Sequence, residues 1–350
     1  MKKIYFFTIL CLSLFISCKN EEATIIEVEN IGVEKNYSTI EKVFDILQVE
    51  NLNFLNLKFD YDSENKQFVS QNSWGGVHLN TENIEFSSNK YVNFALFDFV
   101  LEDGKTELKG KTKFIFNEET NSQAGILLSF DDYFSGNWEK YLPLFVENDF
   151  KATWFCFGWP SRFKDFYFLA KESNQCVGYH SFSHNGILGK DSCSLEDLEY
   201  EAITPLNNFK EKNMLFTCFA FPNGLYKDFE LPILKQHYSV LRFFGKESHF
   251  YTKEEILKQR AIYSKSIDFN KFADDEEFKS VIKNDFLIAK ITDQIYPCTS
   301  HYILDEGEHL YSNGKIYDDY TISKEKLSFI FEMKNFFKLK DYTFDDFKVM

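Results

Sequence analysis

Two adjacent carboxylates, Asp131 and Asp132, end the short apolar run Gly125-Ile-Leu-Leu-Ser-Phe-Asp-Asp132, and two imidazoles stand four apart in His180-Ser-Phe-Ser-His184. Neighbouring side chains on an extended segment point to opposite sides, so a carboxylate pair at a strand end can divide two roles. Imidazoles at i and i+4 reach one ion from a single helical turn. One carboxylate with two imidazoles makes a three-ligand divalent-metal set that leaves positions open for water and substrate. The second carboxylate is then free to act as a base. Each feature alone has a plainer reading: paired Asp residues cap helices, and a His-x-x-x-His pair often marks an exposed helical face.

The elements that must position these groups form a repeating pattern. Apolar runs at 125–130, 152–157, 176–180, 215–221, 238–244, 286–292 and 296–302 predict strands, and Gln259-Arg-Ala-Ile-Tyr263 predicts a strand start. Between them, Trp138, Tyr141, Leu142 and Phe145 share one helical face, a helix follows Pro160, another runs from Ser194 to about Lys212, and a last one from Ser323 to about Phe337. Repeated strand-then-helix units give parallel strands with right-handed crossovers. This many units predict an α/β fold, a barrel or barrel-like wound sheet, over 125–350. Active residues of such a fold lie at the C-terminal ends of strands, where both motifs fall.

The first part of the 350-residue chain follows a different grammar. Met1-Lys-Lys3, the apolar segment Ile4 to Ile16 and then Ser17-Cys18 predict a lipoprotein signal peptide over 1–17, with Cys18 the lipid-modified first mature residue. The run is too short to span a bilayer. An outer membrane lipoprotein is expected, facing the periplasm or exposed at the cell surface and held to the membrane by lipid. Lys19-Asn20-Glu21-Glu22 resembles the acidic export signals of surface lipoproteins, and residues 18–30 read as a tether. Ser38-Thr-Ile-Glu41 has capping-box spacing and predicts a short helix. Alternation at Leu55, Leu57, Phe59 and Tyr61, and in the later runs through Phe116, predicts a small β-rich, sandwich-like module over 31–118. Within it, Glu102-Asp-Gly-Lys105 predicts a hairpin turn, and the module reads as a spacer in preference to the alternative, a glycan-binding platform.

A net charge of −15 argues against nucleic acid and strongly anionic polymers as partners. Beyond the signal, Cys156, Cys176, Cys193, Cys218 and Cys298 form no Cys-x-x-Cys pair and sit in apolar runs, so buried thiols are expected. A monomer is expected.

Ser129-Phe-Asp-Asp132, Lys151-Ala-Thr-Trp-Phe155, His180-Ser-Phe-Ser-His184, Phe219-Ala-Phe-Pro-Asn-Gly224 and a late His301 occur in the order and rough spacing of polysaccharide deacetylases. From 125 to 350 the chain resembles that family, the NodB homology domain of carbohydrate esterase family 4. The resemblance implies a distorted (β/α) barrel in which Asp132, His180 and His184 hold a divalent metal, usually zinc and sometimes cobalt or nickel. It implies Asp131 as the base for the attacking water, His301 as the acid for the leaving group, and the Asn223 backbone N–H as an oxyanion donor. Acid or base help of this kind is worth roughly 10²–10⁴-fold. The substrate would be an acetylated glycan, losing an N- or O-acetyl group at the cell envelope.

Two departures stand out. Many family members carry an arginine where Ala220 stands, and it orients the base. This chain has only Arg162, Arg242 and Arg260. Arg260 resembles an arginine of relatives with the same Phe-Ala-aromatic-Pro motif and is expected to take that place ahead of Arg242. The Asp and Trp motif that lines the substrate groove also has no counterpart, leaving Trp159, Phe243 and Phe244 as candidate sugar platforms. Two alternatives follow: a glycan-binding surface lipoprotein with a weakened site, or a hydrolase of a non-carbohydrate C–N bond. His78, His237, His249 and His309 belong to no motif, and Glu306, Glu308 and His309 read as a solvated loop rather than a second metal cluster.

Overall fold

The computed structural model describes residues 59–70, 77–88, 93–102, 107–116 and 122–349, except 135, 246, 306, 313, 314 and 317. The chain divides into two compact units between Phe116 and Asn117. The signal segment, Cys18, the tether, the helix expected after Ser38, Leu55, Leu57 and Trp74 lie outside the described residues.

The first unit is an antiparallel sheet of β1 (Phe59–Asp62), β2 (Gln67–Ser70), β3 (Val77–Ser88), β4 (Asn93–Glu102) and β5 (Glu107–Phe116), each paired with the next. Pairing of Glu102 with Glu107 closes the β4–β5 hairpin where the Asp-Gly turn predicts it. The β-rich reading holds for this sheet. A second sheet, which a sandwich requires, is not among the described residues.

The second unit is a barrel. Its strands are β6 (Gly125–Phe130), β7 (Thr153–Cys156), β8 (Cys176–Tyr179), β9 (Cys218–Ala220), β10 (Val240–Gly245), β11 (Ala261–Ser266) and β12 (Ile295–Ser300). All seven run parallel in sequence order, and β12 pairs back onto β6 from Ile295↔Gly125 to Ser300↔Phe130, closing the ring. The barrel is distorted at one seam. β6 meets β7 only at Ser129 and Phe130, and the short strand Lys340–Asp341 fills the gap beside Gly125 and Ile126. Around it run α1 (Asn137–Glu147), α2 (Pro160–Glu172), α3 (Leu195–Leu198), α4 (Thr204–Glu211), α5 (Glu230–Leu234), α6 (Lys253–Gln259), α7 (Asp275–Thr292) and α8 (Lys324–Phe337). One expectation fails: 286–292 is not a strand but the second half of α7. Phe286, Leu287, Ile288, Ala289 and Ile291 are all buried there, so the stretch shows no amphipathic period.

Outside the ring, Phe130 stacks on Trp154 with centroids 4.6 Å apart, and Trp138 and Phe145 of α1 and Phe166 of α2 complete the cluster. Inside it, Leu127, Phe155, Cys176, Val240, Ile262 and Ile295 meet in one buried core, plugged from below by Phe344 and Phe347. The two-residue period then lifts each inward column toward the C-terminal rim. The columns read Leu127–Ser129–Asp131, Cys176–Gly178–His180, Val240–Arg242–Phe244, Ile262–Ser264–Ser266–Asp268 and Ile295–Pro297–Thr299–His301. Ser129 Oγ donates to Thr299 Oγ1 (3.0 Å) across the interior. All five cysteines of this unit are buried free thiols.

Gly178 is glycine because the interior has no room for more: a Cβ there would run into the Phe155 ring and lie 2.8 Å from Cys218 Sγ. Gly178→Ala is therefore expected to cost roughly 1–3 kcal/mol by overpacking, measured by urea unfolding. An unchanged midpoint would show the interior to be looser than this.

Candidate active site

Asp131, at the end of β6, is fully buried, and its N–H donates to Ser300 O (3.0 Å). Its Oδ2 accepts from Arg242 Nη2, while Oδ1 is buried with no partner. Arg242 is fully buried, its guanidinium 5.2 Å from the Phe155 centroid and 4.5 Å from that of Phe244. On the β9–β10 ladder Arg242 pairs with Ala220. The guanidinium absent at Ala220 is thus supplied from the neighbouring strand at the same level.

Arg260 does not reach the site, contrary to expectation. It stands at the start of β11, at the opposite end of the barrel from the rim. There its Nε donates to Ser239 O (2.9 Å) and its Nη2 to Lys235 O (2.5 Å) and Tyr238 O (2.6 Å), capping carbonyls that follow α5.

The next residue, Asp132, would point away from Asp131 on a regular strand. Its φ of 78° turns it back, so both carboxylates face the same imidazole. His180 Nε2 lies 3.8 Å from Asp131 Oδ2 and 3.2 Å from Asp132 Oδ1, and His184 Nε2 lies 3.0 Å from Asp132 Oδ1. The expected helical turn does not form over 180–184. The segment is a loop after β8, with Ser181 at φ 72° and His184 at φ 52°, and the loop brings the two rings to 4.9 Å.

These three side chains fit a divalent cation. Their ligand atoms lie within 4.8 Å of one another, and Asp132 Oδ1 is buried without a hydrogen-bond donor. His180 Nδ1 is 2.8 Å from Ala220 O, which can only accept, so Nδ1 carries the proton and Nε2 offers its lone pair. In the metal-free chain, burial raises the Asp132 carboxyl, but His180 and His184 outweigh it and hold it well below the usual carboxylate range. Burial lowers His184, and Asp132 outweighs that and raises it.

His301 faces the pair from β12, with Nε2 3.9 Å from Asp132 Oδ2. Its Nδ1 is 3.0 Å from Asp268, a buried carboxylate that also accepts from Ser300 Oγ and Ser266 Oγ (2.7 Å each). Trp138 Nε1 donates to His301 O (3.0 Å), tying this strand end to α1. Asn223 lies in the turn Pro222–Gly224 at φ 57°. The turn's bonds run from Gly224 N to Phe221 O (2.9 Å) and Leu225 N to Pro222 O (3.4 Å), and neither uses the Asn223 N–H. Gly224 must lack a Cβ, which would lie 2.5 Å from Phe244 N.

Two residues escape the sequence reading. Asp268 follows β11 as Asp131 follows β6, a signal hidden because the strand was recognised only at its start. Glu201, buried in the π-helical turn Glu199–Ile203, accepts from Ser183 N (2.9 Å), Ser183 Oγ (2.5 Å) and Asn185 Nδ2 (3.3 Å). Pro205, lacking an N–H, cannot bond Glu201 O in the helical manner, and that carbonyl instead accepts from Phe182 N (2.8 Å). The loop carrying both imidazoles is therefore held by one acidic residue. Of the candidate platforms, Phe243 is core, Trp159 is exposed, and Phe244 is half-buried 6.1 Å from His301. His309 pairs with Asp318 (2.6 Å), and Glu306 lies outside the described residues.

With this geometry in place, the comparisons with known proteins are specific. Residues 118–239 match the model of the polysaccharide deacetylase family. The match contains Asp131, Asp132, His180, His184 and Asn223 and stops short of Arg242, Asp268 and His301, which the barrel adds. No curated protein matches the chain at a significant level. Among solved structures, a peptidoglycan N-acetylglucosamine deacetylase is similar at 15% identity and TM-score 0.42, over 67% of this chain and 91% of its own. A family 4 carbohydrate esterase from Bacillus anthracis is similar at 17% identity and TM-score 0.38, over 66% and 85%. One from Streptomyces lividans is similar at 12% and 0.34, over 49% and 87%. These superpositions are loose, and the assignment rests on the sequence match.

The geometry of the site yields two expectations. Arg242→Ala strands a buried carboxylate and should cost about 3–5 kcal/mol with loss of turnover, whereas Arg260→Ala should cost stability alone and leave kcat near wild type. Parallel unfolding and rate measurements check this, and equal kcat losses would contradict it. For His301, burial lowers the imidazole pKa, but Asp268, with Asp131 and Asp132, outweighs it and raises the value to about 9. Its protonated form thus stabilises the metal-free fold fully below about 6.5, and that stability is lost as pH rises through about 9. Imidazole NMR of the metal-free protein should show this titration, and Asp268→Asn should move it downward.

Proposed function

We propose that this chain is a metal-dependent hydrolase that removes acetyl groups, N- or O-linked, from a polysaccharide or oligosaccharide at the cell envelope. The observation that carries the reading is the meeting of Asp131 with Arg242, the Asp132, His180 and His184 triad, and His301 with Asp268 at one rim of a polysaccharide deacetylase barrel. Asp132, His180 and His184 would hold the cation, with zinc best suited to an N, N, O donor set and cobalt or nickel also compatible. Bound there, the cation would act as a Lewis acid toward the acyl carbonyl and make water more acidic.

The chain's own groups do the rest. Arg242 donates to Asp131 Oδ2 and holds the carboxylate beside His180, leaving Oδ1 without a partner, and this carboxylate takes the proton of the attacking water. The Asn223 N–H donates to the developing oxyanion. His301, oriented through Nδ1 by Asp268, presents Nε2–H to the departing amine or alcohol, so protonated nitrogen or oxygen leaves as acetate forms. Ala220 alone would favour a weakened, merely glycan-binding protein, and Arg242 removes that reason. We also propose that Cys18 carries the lipid and that the protein is an outer membrane lipoprotein acting on glycan in the periplasm or at the cell surface.

Acetate release from a panel of acetylated glycans, with amides and cyclic imides beside them, tests the reaction. Asp132→Ala and His180→Ala should lose bound metal and acetate release together. Asp131→Asn should keep its metal and lose at least about 10²-fold in kcat. A fully active Asp131→Asn enzyme would remove Asp131 as the base, and release from imides alone would remove the glycan.

A further inference from the structure

The cations at the mouth of the site have no role in the chemistry above. Of the three arginines, Arg242 is in the barrel interior and Arg260 caps carbonyls at its far end. Arg162 is exposed in the first turn of α2. Its guanidinium carbon sits 3.8 Å from the centroid of Phe157, and the Phe157 ring lies 5.4 Å from that of His184. One aromatic ring therefore separates this cation from a proposed metal ligand. On the other flank of the loop, a Cβ on Gly186 would lie 4.0 Å from Lys190 Nζ and 3.3 Å from Asn223 Nδ2. Among the described residues neither Arg162 nor Lys190 takes part in an ion pair, although nearby Lys227 is paired with Asp191 and Lys140 with Asp305.

A guanidinium held over a ring by its carbon can still present N–H groups to the two oxygens of a carboxylate. Beside it, Trp159 is 44% exposed, its ring 4.5 Å from that of Phe182, and offers an apolar face of sugar-ring size. We propose that Arg162 binds an acidic group on the sugar next to the acetylated one, so the preferred substrate is a glycan bearing carboxylates such as a hexuronate. This rests on the glycan reading above and names its substrate class. A net charge of −15 repels a dense polyanion at long range, whereas a single carboxylate in contact with Arg162 meets mainly its local field.

The test is binding by the full chain, measured by calorimetry, of an acetyl-free tetrasaccharide containing one hexuronate and of the same tetrasaccharide with its carboxyl reduced to the alcohol. The acidic form should bind about tenfold more tightly at low salt, less so at high salt. Arg162→Ala should erase the difference while leaving affinity for the neutral form unchanged, and Arg162→Lys should restore part of it. A sulfated counterpart binding as well as the hexuronate would assign the site to sulfate esters equally and overturn the preference for carboxylates. Equal affinity for acidic and neutral forms, or an unchanged preference in Arg162→Ala, would overturn the proposal. Acetate release from acetylated versions is read separately: release without a charge preference leaves the deacetylase standing and removes this site. A charge preference without release keeps the site and removes the deacetylase.

Discussion

The contact between Arg242 and Asp131 is a full charge pair inside a barrel whose interior is mostly uncharged, and the site depends on it. Neither partner has any exposure, so each would carry a large desolvation cost alone. The pair also leaves work undone. Asp131 Oδ1 and the Nε and Nη1 of Arg242 have no partners, and Asp132 Oδ1 is in the same state. Buried polar atoms left open together, at the rim where the inward columns carry charge, are the signature of a site completed by a ligand rather than by the protein. Phe155 and Phe244 against the guanidinium keep its plane fixed, which fixes which carboxylate oxygen is covered.

Around that pair the backbone is held in conformations that L-residues avoid. Asp132, Tyr133, Ser181, His184 and Asn223 all have positive φ. Each costs of order 1–3 kcal/mol and persists only where neighbours over-determine it. The neighbours here are identifiable. Glu201 holds the His180–His184 loop through Ser183 and Asn185, and the carbonyl that Pro205 leaves open holds Phe182. Tyr133 is packed among Trp138, Phe163 and Phe166, which steadies the turn after Asp132. Strain at the rim is therefore offset by packing between the barrel and α1, α2 and the π-helical turn. The same strain is what lets consecutive carboxylates, and imidazoles four apart on a loop, converge on one point.

His301 shows the same division between strand and support. The β12 column delivers its imidazole to the rim, but the adjacent β11 column delivers the carboxylate that sets its tautomer. Two serines from the ends of those strands donate one to each oxygen of Asp268. Substituting across the ladder is also how the arginine survives the loss at Ala220. In parallel strands at matched register, a long side chain on β10 reaches the same volume as one on β9.

The sequence by itself determined the alternation of strands and helices, the barrel class, and the candidacy of Asp131, Asp132, His180 and His184, because local period and residue type record which groups end each strand, while His301 was singled out by the resemblance to polysaccharide deacetylases. It misread 286–292, where a helix buried on every side carries no amphipathic signal. It also placed the two imidazoles on a helix, because positive φ at a serine and a histidine leaves no mark in composition. Only the tertiary structure decided that Arg242 rather than Arg260 meets Asp131. That choice depends on which end of a strand each arginine occupies and on the register of β10 against β9, a relation between chain segments far apart in sequence. Asp268 and Glu201 were decided in the same way, since a buried carboxylate is assigned by the donors that surround it, and those donors come together only when the barrel closes.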